Sequence, residues 1–443
     1  MQQLLNRRRI LKTAAAAPWV VPAIALGKDG AAAASDRVTL GFIGVGMMGR
    51  GHLRHLVQYP GAQVLAVCDV DRWRRENAQR TVEEGYAVLR PGVPHACADY
   101  NDFRALLDRA DVDAVVVATG DNWHGVASIM ACKAGKDVYC EKPISKTIHE
   151  ARAMAEAGRR YGRVFQIGLQ QRSTPEFCRA SELVRAGRIG PVKIVYVAFP
   201  GTNGDVNLPA EPVPDGLDWD LWLGPAPWRS FNSRFHSYGP PPRVVPWHFC
   251  SDFGGGNLTS NTVHAFDVVQ WALGMDESGP RKIVPPETGL VPSLTYEYSD
   301  GVLLQVVDWR LDPAHHFVPE GWNPATRLQN FGALYVGRDG WIHVGREGFL
   351  ESHPKEIVAE KPDAPPSSSV SNHHQNWLDS IRSRQKPACD VAVGCRSTIV
   401  SHLGCIAHWT GRALEWDPVA EEFVGDDEAN RLRFRALRAP WRI

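Results

Sequence analysis

The chain is 443 residues long, with 49 Lys plus Arg balanced by 49 Asp plus Glu and 44% hydrophobic residues. That length holds two or three domains with large cores. The even balance excludes the basic footprint of a nucleic-acid or anionic-membrane binder, so a small neutral or weakly charged ligand is expected.

Residues 1–34 read as a leader and not as fold. Arg7-Arg8-Arg9-Ile10-Leu11-Lys12 precedes an apolar run from Thr13 to Leu26, and Ala31 to Ala34 offer small-residue cleavage sites, the pattern of a twin-arginine export signal. The run is too short for a membrane span and Pro18 and Pro22 interrupt it. The expectation is a protein exported already folded, periplasmic or otherwise extracytoplasmic, with no membrane integration. Nine scattered cysteines, with no C-x-x-C pair, signal neither a disulfide scaffold nor a zinc site, and no metal is expected.

A first domain is expected over 35–162. Arg37 to Ile43 reads as a strand, Gly44-Val45-Gly46-Met47-Met48-Gly49 follows, and a helix pattern runs from Met48 to Tyr59. This is G-x-G-x-x-G between strand and helix: Gly44 for the tight turn, Gly46 for close approach to a pyrophosphate, Gly49 for helix-strand packing, with the phosphate on the helix start at Met47 and Met48. Val64 to Cys68 is a second strand. Asp69 ends it 20 residues past Gly49, where an acid bonds ribose hydroxyls and repels a 2′-phosphate, so NAD is expected over NADP, with Arg72 near enough to soften that preference.

Asp113 to Ala118 is a valine-rich strand, and the turn Thr119-Gly120-Asp121-Asn122-Trp123-His124 leads from it into a helix along the cofactor crevice. Thr119 lines that crevice, and Trp123 and His124 either flank the nicotinamide or are a helix-start aromatic and a surface histidine. Val138-Tyr139-Cys140 is a buried strand, and Pro143 ends its ladder, leaving Glu141 and Lys142 at the C-terminal edge where open α/β sheets bind ligands. A solvated charge pair closing a strand is the plain alternative. A helix from Thr147 to Tyr161 and a strand from Val164 to Gly168 continue the alternation, which implies a doubly wound parallel sheet.

From 163 to 443 an α+β domain with a large, mostly antiparallel open sheet is expected, its final helices able to pack back on the first domain. Val192 to Phe199 is a strand, and hairpins are read at Asp300-Gly301 and Asp339-Gly340. Pro200 to Pro246 is read as a loop over the cleft, Glu360 to Ser371 as a surface connection, and Asn376 to Arg384 and Gly394 to Trp409 as structural helices. Gly254-Gly255-Gly256 lets backbone approach a ligand, and His264 and Asp267 fall three apart on one helix face. A histidine so placed also fits a satisfied core residue.

These residues together resemble the Gfo/Idh/MocA oxidoreductases, the family of glucose-fructose oxidoreductase and inositol dehydrogenase. The resemblance rests on the glycine motif, Asp69, Ala118 through His124, Glu141-Lys142-Pro143, Gly168-Leu169-Gln170-Gln171-Arg172, the glycine run and His264-x-x-Asp267. It implies a Rossmann domain holding NAD, with Glu141, Lys142 and Gln170 at the cofactor, a sugar, polyol or glycoside between the domains, and a homo-oligomer through the C-terminal sheet. Lys142 would act as acid or base, His264 would bond the same oxygen, and Asp267 joins them as a catalytic candidate.

One departure stands out. Many relatives place an aspartate four residues before the histidine, whereas this chain has Ser260, so either a proton relay is rebuilt through Asp252 or Asp267, or the reaction differs. Three functions follow: an exported NAD-dependent oxidoreductase with retained cofactor and redox-neutral turnover, a glycosidase or lyase working by transient oxidation and elimination, and a non-catalytic sugar binder retaining NAD.

Overall fold

The computed structural model describes residues 36–90, 95–240, 246–359 and 372–443. The stretch expected to be an export leader, the expected 360–371 connection and part of the expected cleft loop lie outside them. Six short apolar runs form a wholly parallel sheet: β1 (Val38–Ile43), β2 (Ala62–Cys68), β3 (Ala98–Tyr100), β4 (Ala114–Val117), β5 (Asp137–Cys140) and β6 (Phe165–Ile167), in the order β3-β2-β1-β4-β5-β6. Every residue of β4 and β5 is buried, as in a sheet covered by helices on both faces. Strand order reverses between β1 and β4, and at that switch point the carboxyl ends of the strands open a crevice.

A boundary at 162/163 falls one strand too early, because β6 pairs with β5 through Val138 to Cys140 and completes the first sheet. The helix Arg72–Leu89 was not expected. It buries only Arg74, Ala78, Val82 and Tyr86, a stripe one residue wide on an otherwise charged surface, and Asp71 caps it by accepting from Arg74 N.

The second sheet has nine strands: β7 (Val192–Val197), β8 (Lys282–Val284), β9 (Leu294–Glu297), β10 (Leu303–Val306), β11 (Ala333–Gly337), β12 (Trp341–Val344), β13 (Leu350–His353), β14 (Leu414–Asp417) and β15 (Glu422–Phe423). Their order is β13-β12-β11-β7-β10-β9-β8-β14-β15, antiparallel except where β7 meets β10. Gly301 and Gly340 turn the two expected hairpins at φ +81° and +155°. One face packs on the helices Thr262–Ala272 and Val391–Thr410, in a core continuous with the first sheet. The other is covered by Val307, Leu311, Trp322 and Leu328. The helix His373–Ser383 packs back on the first sheet, with Trp377, Leu378 and Ile381 in its core.

Residues 216–240 and 246–253 form a strap from the second domain across the first. It has its own small core, including Trp219, Leu223, Phe235 and Phe253. Arg72 N donates to Gly216 O (2.9 Å), Arg74 donates to Gly239 O (2.9 Å) and Ser237 O (2.7 Å), and Asn122 Nδ2 donates to Leu223 O (2.9 Å). The buried carboxylate of Asp71 accepts from Gly239 N (2.9 Å) and pairs with His236 Nε2 (3.0 Å). The chain returns over the strap near its end: Arg438 Nε donates to Gly224 O (2.9 Å), and Trp441 meets Trp123 edge-on at 4.6 Å.

Candidate active site

The glycine turn fits a dinucleotide on its own geometry. A Cβ on Gly44 would lie 2.6 Å from Ala118 O, and one on Gly49 would lie 2.1 Å from Gly44 O, so only glycine permits this packing. The helix Met47–Val57 starts at Gly46 with no side-chain cap, leaving its first N–H groups open to an anion. Met47 and Met48 are exposed beside it. Asp69 Oδ2 accepts from Val45 N (2.8 Å) and Oδ1 from Asp71 N (3.0 Å), which locks the glycine turn to the end of β2.

A cleft runs past Gly44, Gly46, Asp69 and Thr119, with Trp222, His236 and Trp247 of the strap side forming its opposite wall. Three expected contacts differ from the expectation. Arg72 is exposed and its backbone N–H donates to the strap, and the arginine lining the cleft is Arg74. Trp123 lines the cleft beside Phe103, but its Nε1 donates to Leu221 O (3.0 Å), so it clamps the strap. His124 is buried behind the turn, its Nδ1 2.6 Å from Pro143 O, and it buttresses Lys142 from outside the crevice.

Lys142 leaves the carboxyl edge of β5 and its Nζ donates to Ser260 O at 2.8 Å. Ser260 is the last residue of the short helix Gly256–Ser260, where carbonyls lack intrahelical donors. Its hydroxyl is spent on Gly256 O (2.8 Å). The lysine is therefore anchored by a backbone oxygen and not by a carboxylate. Glu141 is buried: His52 Nε2 lies 2.8 Å from its Oε1, and Gln170 Nε2 donates to the same oxygen at 3.3 Å. Burial alone would raise its pKa, but the His52 hydrogen bond and nearby positive charge outweigh that and hold it at about 2.

His264 is buried, and burial first, then the charges of Lys142 and Arg346, keep it neutral, far below the usual histidine range. Gln171, with its amide turned to satisfy both ends, donates to His264 Nδ1 (2.8 Å) and accepts from Arg346 Nη2 (3.1 Å). That hydrogen bond leaves the ring proton on Nε2. Gln171 and Arg346 were not singled out from the sequence. Gln171 lies in the quoted motif beside Gln170, while Arg346 follows β12 with no local signal.

Asp121 was also missed. It is buried, one carboxylate oxygen has no hydrogen-bond partner among the described residues, and burial, opposed by Lys142 and Lys146, lifts its pKa to about 7.

The structure does not bring Asp267 to this site. Both its oxygens accept from Arg172 Nε (2.9 Å each), Oδ1 accepts from Ser397 Oγ (2.7 Å), and it has no solvent exposure. Arg172 also grips Asp276, with Nη2 donating to Oδ1 at 2.7 Å and Nη1 to Oδ2 at 3.0 Å. Burial pulls Arg172 toward losing its proton, and the two carboxylates more than offset it. Sequence spacing put Asp267 on the face of His264, but a partner 95 residues away claims it. Asp252, the other candidate for a rebuilt relay, is held by Arg229 Nη2 at 2.6 Å.

The buried histidines set an acid limit. Burial lowers His343 and His373 to about 4, His402 to about 3 and His374 to about 2, against about 6.5 in an unfolded chain. Below pH 6.5 the unfolded chain binds more protons than the native one, so stability present above pH 6.5 is lost as pH falls through these values. Each such ring contributes a slope approaching ~1.4 kcal/mol per pH unit. Asp121, protonated in the native state below about 7, offsets one of them down to the ordinary carboxyl range. Urea midpoints are expected to be level above pH 7 and to fall steadily from pH 6.5 to 4.5. A flat profile across that window would show that the rings gain protons without unfolding.

Residues 38–169 match the oxidoreductase family with an NAD-binding Rossmann fold, and residues 193–318 and 332–443 match that family's C-terminal alpha/beta domain. Inositol 2-dehydrogenase 2 of Saccharopolyspora erythraea is 36% identical over 278 residues, 61% of this chain and 66% of that protein. Inositol 2-dehydrogenase of Salmonella paratyphi B is 32% identical over 158 residues, 35% of this chain, and the chain spans 44% of that relative's length. The aldose-aldose oxidoreductase of Caulobacter crescentus, solved with glycerol, superposes with a TM-score of 0.56 over 86% of this chain and 99% of that one at 17% identity, a likeness of fold alone. All of the first sheet and all of the second but Val192 fall within the matched residues, and the chain belongs to the Gfo/Idh/MocA oxidoreductase family.

Proposed function

We propose that the protein is an exported oxidoreductase that acts on a hydroxyl of a sugar or polyol, keeps its NAD bound, and turns over without net change of redox state. The observation that carries this reading is Lys142 Nζ, held at the β5 edge by Ser260 O, with its charge acting on a neutral, buried His264. NAD, when bound, supplies hydride acceptance at the nicotinamide. Oxidising a hydroxyl also releases a proton from its oxygen. Lys142 handles that proton, and His264 Nε2–H donates to the same oxygen and fixes its position. Asp121, buried and poised near neutrality, is the next acceptor for the lysine's proton, a role that Ser260 cannot fill.

Retention of the cofactor is supported by the strap, which covers the cleft and is tied to the first domain through Arg74, Asp71 and Asn122. A cofactor that cannot exchange cannot be reoxidised in solution, so hydride must return to a second substrate, or to the same one after an elimination that releases an aglycone. Export is supported by Arg7-Arg8-Arg9 and the apolar run after them. A homo-oligomer through the second sheet belongs to the same reading.

The test is to denature purified protein, quantify released dinucleotide, and follow sugars, polyols and glycosides for substrate loss, aglycone and free NADH together. Near-stoichiometric NAD and substrate loss without accumulating NADH are expected. Empty protein that converts many equivalents of added NAD would return the chain to the ordinary dehydrogenases.

Cofactor choice is a separate expectation. Asp69→Ala removes the acid that would meet the ribose and also frees Val45 N–H, so NAD binding should weaken about tenfold or more while NADP loses less. Equilibrium binding of both dinucleotides to cofactor-stripped protein checks it, and stronger NADP binding by the unaltered chain would point to Arg74.

A further inference from the structure

Three bulky aromatic residues hold left-handed backbone: Phe199 at φ +73°, Trp309 at +64° and Phe331 at +58°. Such conformations are costly for these side chains and persist where the surroundings impose them, often at ligand sites. These three meet one another although they follow β7, follow β10 and precede β11. Phe199 lies edge-on to Trp309 at 4.4 Å and stacks on Phe331 at 5.2 Å, and Phe331 reaches His264 edge-on at 5.4 Å.

Arg346 lies flat on this platform, its Cζ 4.0 Å from the Phe331 ring centre. Its Nε and Nη2 donate to the Gln171 amide oxygen at 3.3 and 3.1 Å, and the other end of that amide holds His264. Among the described residues no hydrogen-bond partner meets the guanidinium edge carrying Nη1. Among the described residues no carboxylate pairs with Arg346, although Glu141 and Glu347 are near enough for their charges to act on it. Glu141 is committed to His52 and Gln170. A partly desolvated cation with an open planar edge, beside the proton-handling pair, calls for an anion from outside the chain.

We propose that Arg346 binds the carboxylate of an acidic sugar, so that the substrate is a uronic acid or its glycoside and not a neutral sugar. The inference rests on the reading of Lys142 and His264 as the centre that receives the reacting hydroxyl. Ring and charge then have separate seats. The reacting hydroxyl meets Lys142 and His264, and the carboxylate lies one amide group away on the Arg346 fork.

The experiment titrates holoenzyme with matched pairs, D-glucuronate against D-glucose and D-galacturonate against D-galactose, reading tryptophan fluorescence at low and high salt. In at least one pair the acid is expected to bind about tenfold or more tightly, with the advantage shrinking in salt. Arg346→Met should remove the advantage. Arg346→Lys, which keeps charge and loses the fork, should restore part of it. Equal affinity within both pairs, no binding by any of the four, or an advantage that survives Arg346→Met overturns the proposal. Because affinity is read without turnover, the same titration on the Lys142→Met holoenzyme should keep the preference. Failure of the oxidoreductase reading would instead appear as absent turnover with the acid preference intact.

Discussion

Lys142→Met is expected to lower turnover by about 10² to 10⁴, the range in which positioned acids and bases contribute, with bound NAD unchanged. Among the described residues the side chain makes a single hydrogen bond, to Ser260 O, so the fold loses little when it goes. The glycine turn, Asp69 and the strap do not depend on it. Methionine matches the length of the chain without the nitrogen, and dinucleotide content measured after denaturation separates a lost proton carrier from a lost cofactor. A variant retaining more than a tenth of turnover at saturating substrate would remove Lys142 from the chemistry. The proton would then have to pass through His264 or Asp121.

The second large effect is on stability. Arg172→Met is expected to cost about 3 to 5 kcal/mol, because it leaves the buried carboxylate of Asp267 with no opposite charge while Ser397 alone still donates to it. Asp276 also loses its fork. Denaturant midpoints read the loss. The double variant Arg172→Met with Asp267→Leu should recover much of it, since replacing both charges removes the unpaired one. Turnover of that double variant, measured below its unfolding transition, decides what Asp267 is for. Near-normal turnover fits the bolt seen between the 170–173 turn and the helices Thr262–Ala272 and Val391–Thr410. Turnover lost in a folded double variant would restore Asp267 to the catalytic set.

What could be read from the sequence was what the chain imposes locally. The glycine spacing, the acid ending β2 and the proline closing β5 are constraints of neighbouring residues, and the parallel sheet follows from their alternation with helices. Lys142 and His264 were legible because each stands at the end of such an element. Asp267 was misjudged because helix spacing gives a face but not a partner, and Arg172 comes from another element. Arg74 and Arg72 are two residues apart on one helix, which turns one toward the cleft and the other to solvent, and nothing in composition distinguishes them. The strap reads as an irregular Pro-, Gly- and Trp-rich stretch, and its role exists only through backbone contacts to residues far away in sequence. Arg346 owes its place to the β12–β13 turn and to Phe331.

The closing of the cleft over Trp123 and Asn122 has a consequence for how the protein is made. Arg435 Nη2 donates to Asn122 O at 2.7 Å across 313 residues of sequence. At ordinary synthesis rates of about 5–20 residues per second, roughly 15 to 60 seconds pass between the appearance of these two residues. During that interval the parallel sheet can form and present its glycine turn while the cleft has no finished roof. A nascent chain is then open to dinucleotide, whereas in the finished molecule the strap supplies one wall of the cleft and the tail holds Asn122 in place. On the reading that NAD is retained, loading becomes a timed event of biosynthesis, favoured while the roof over the cleft is unfinished.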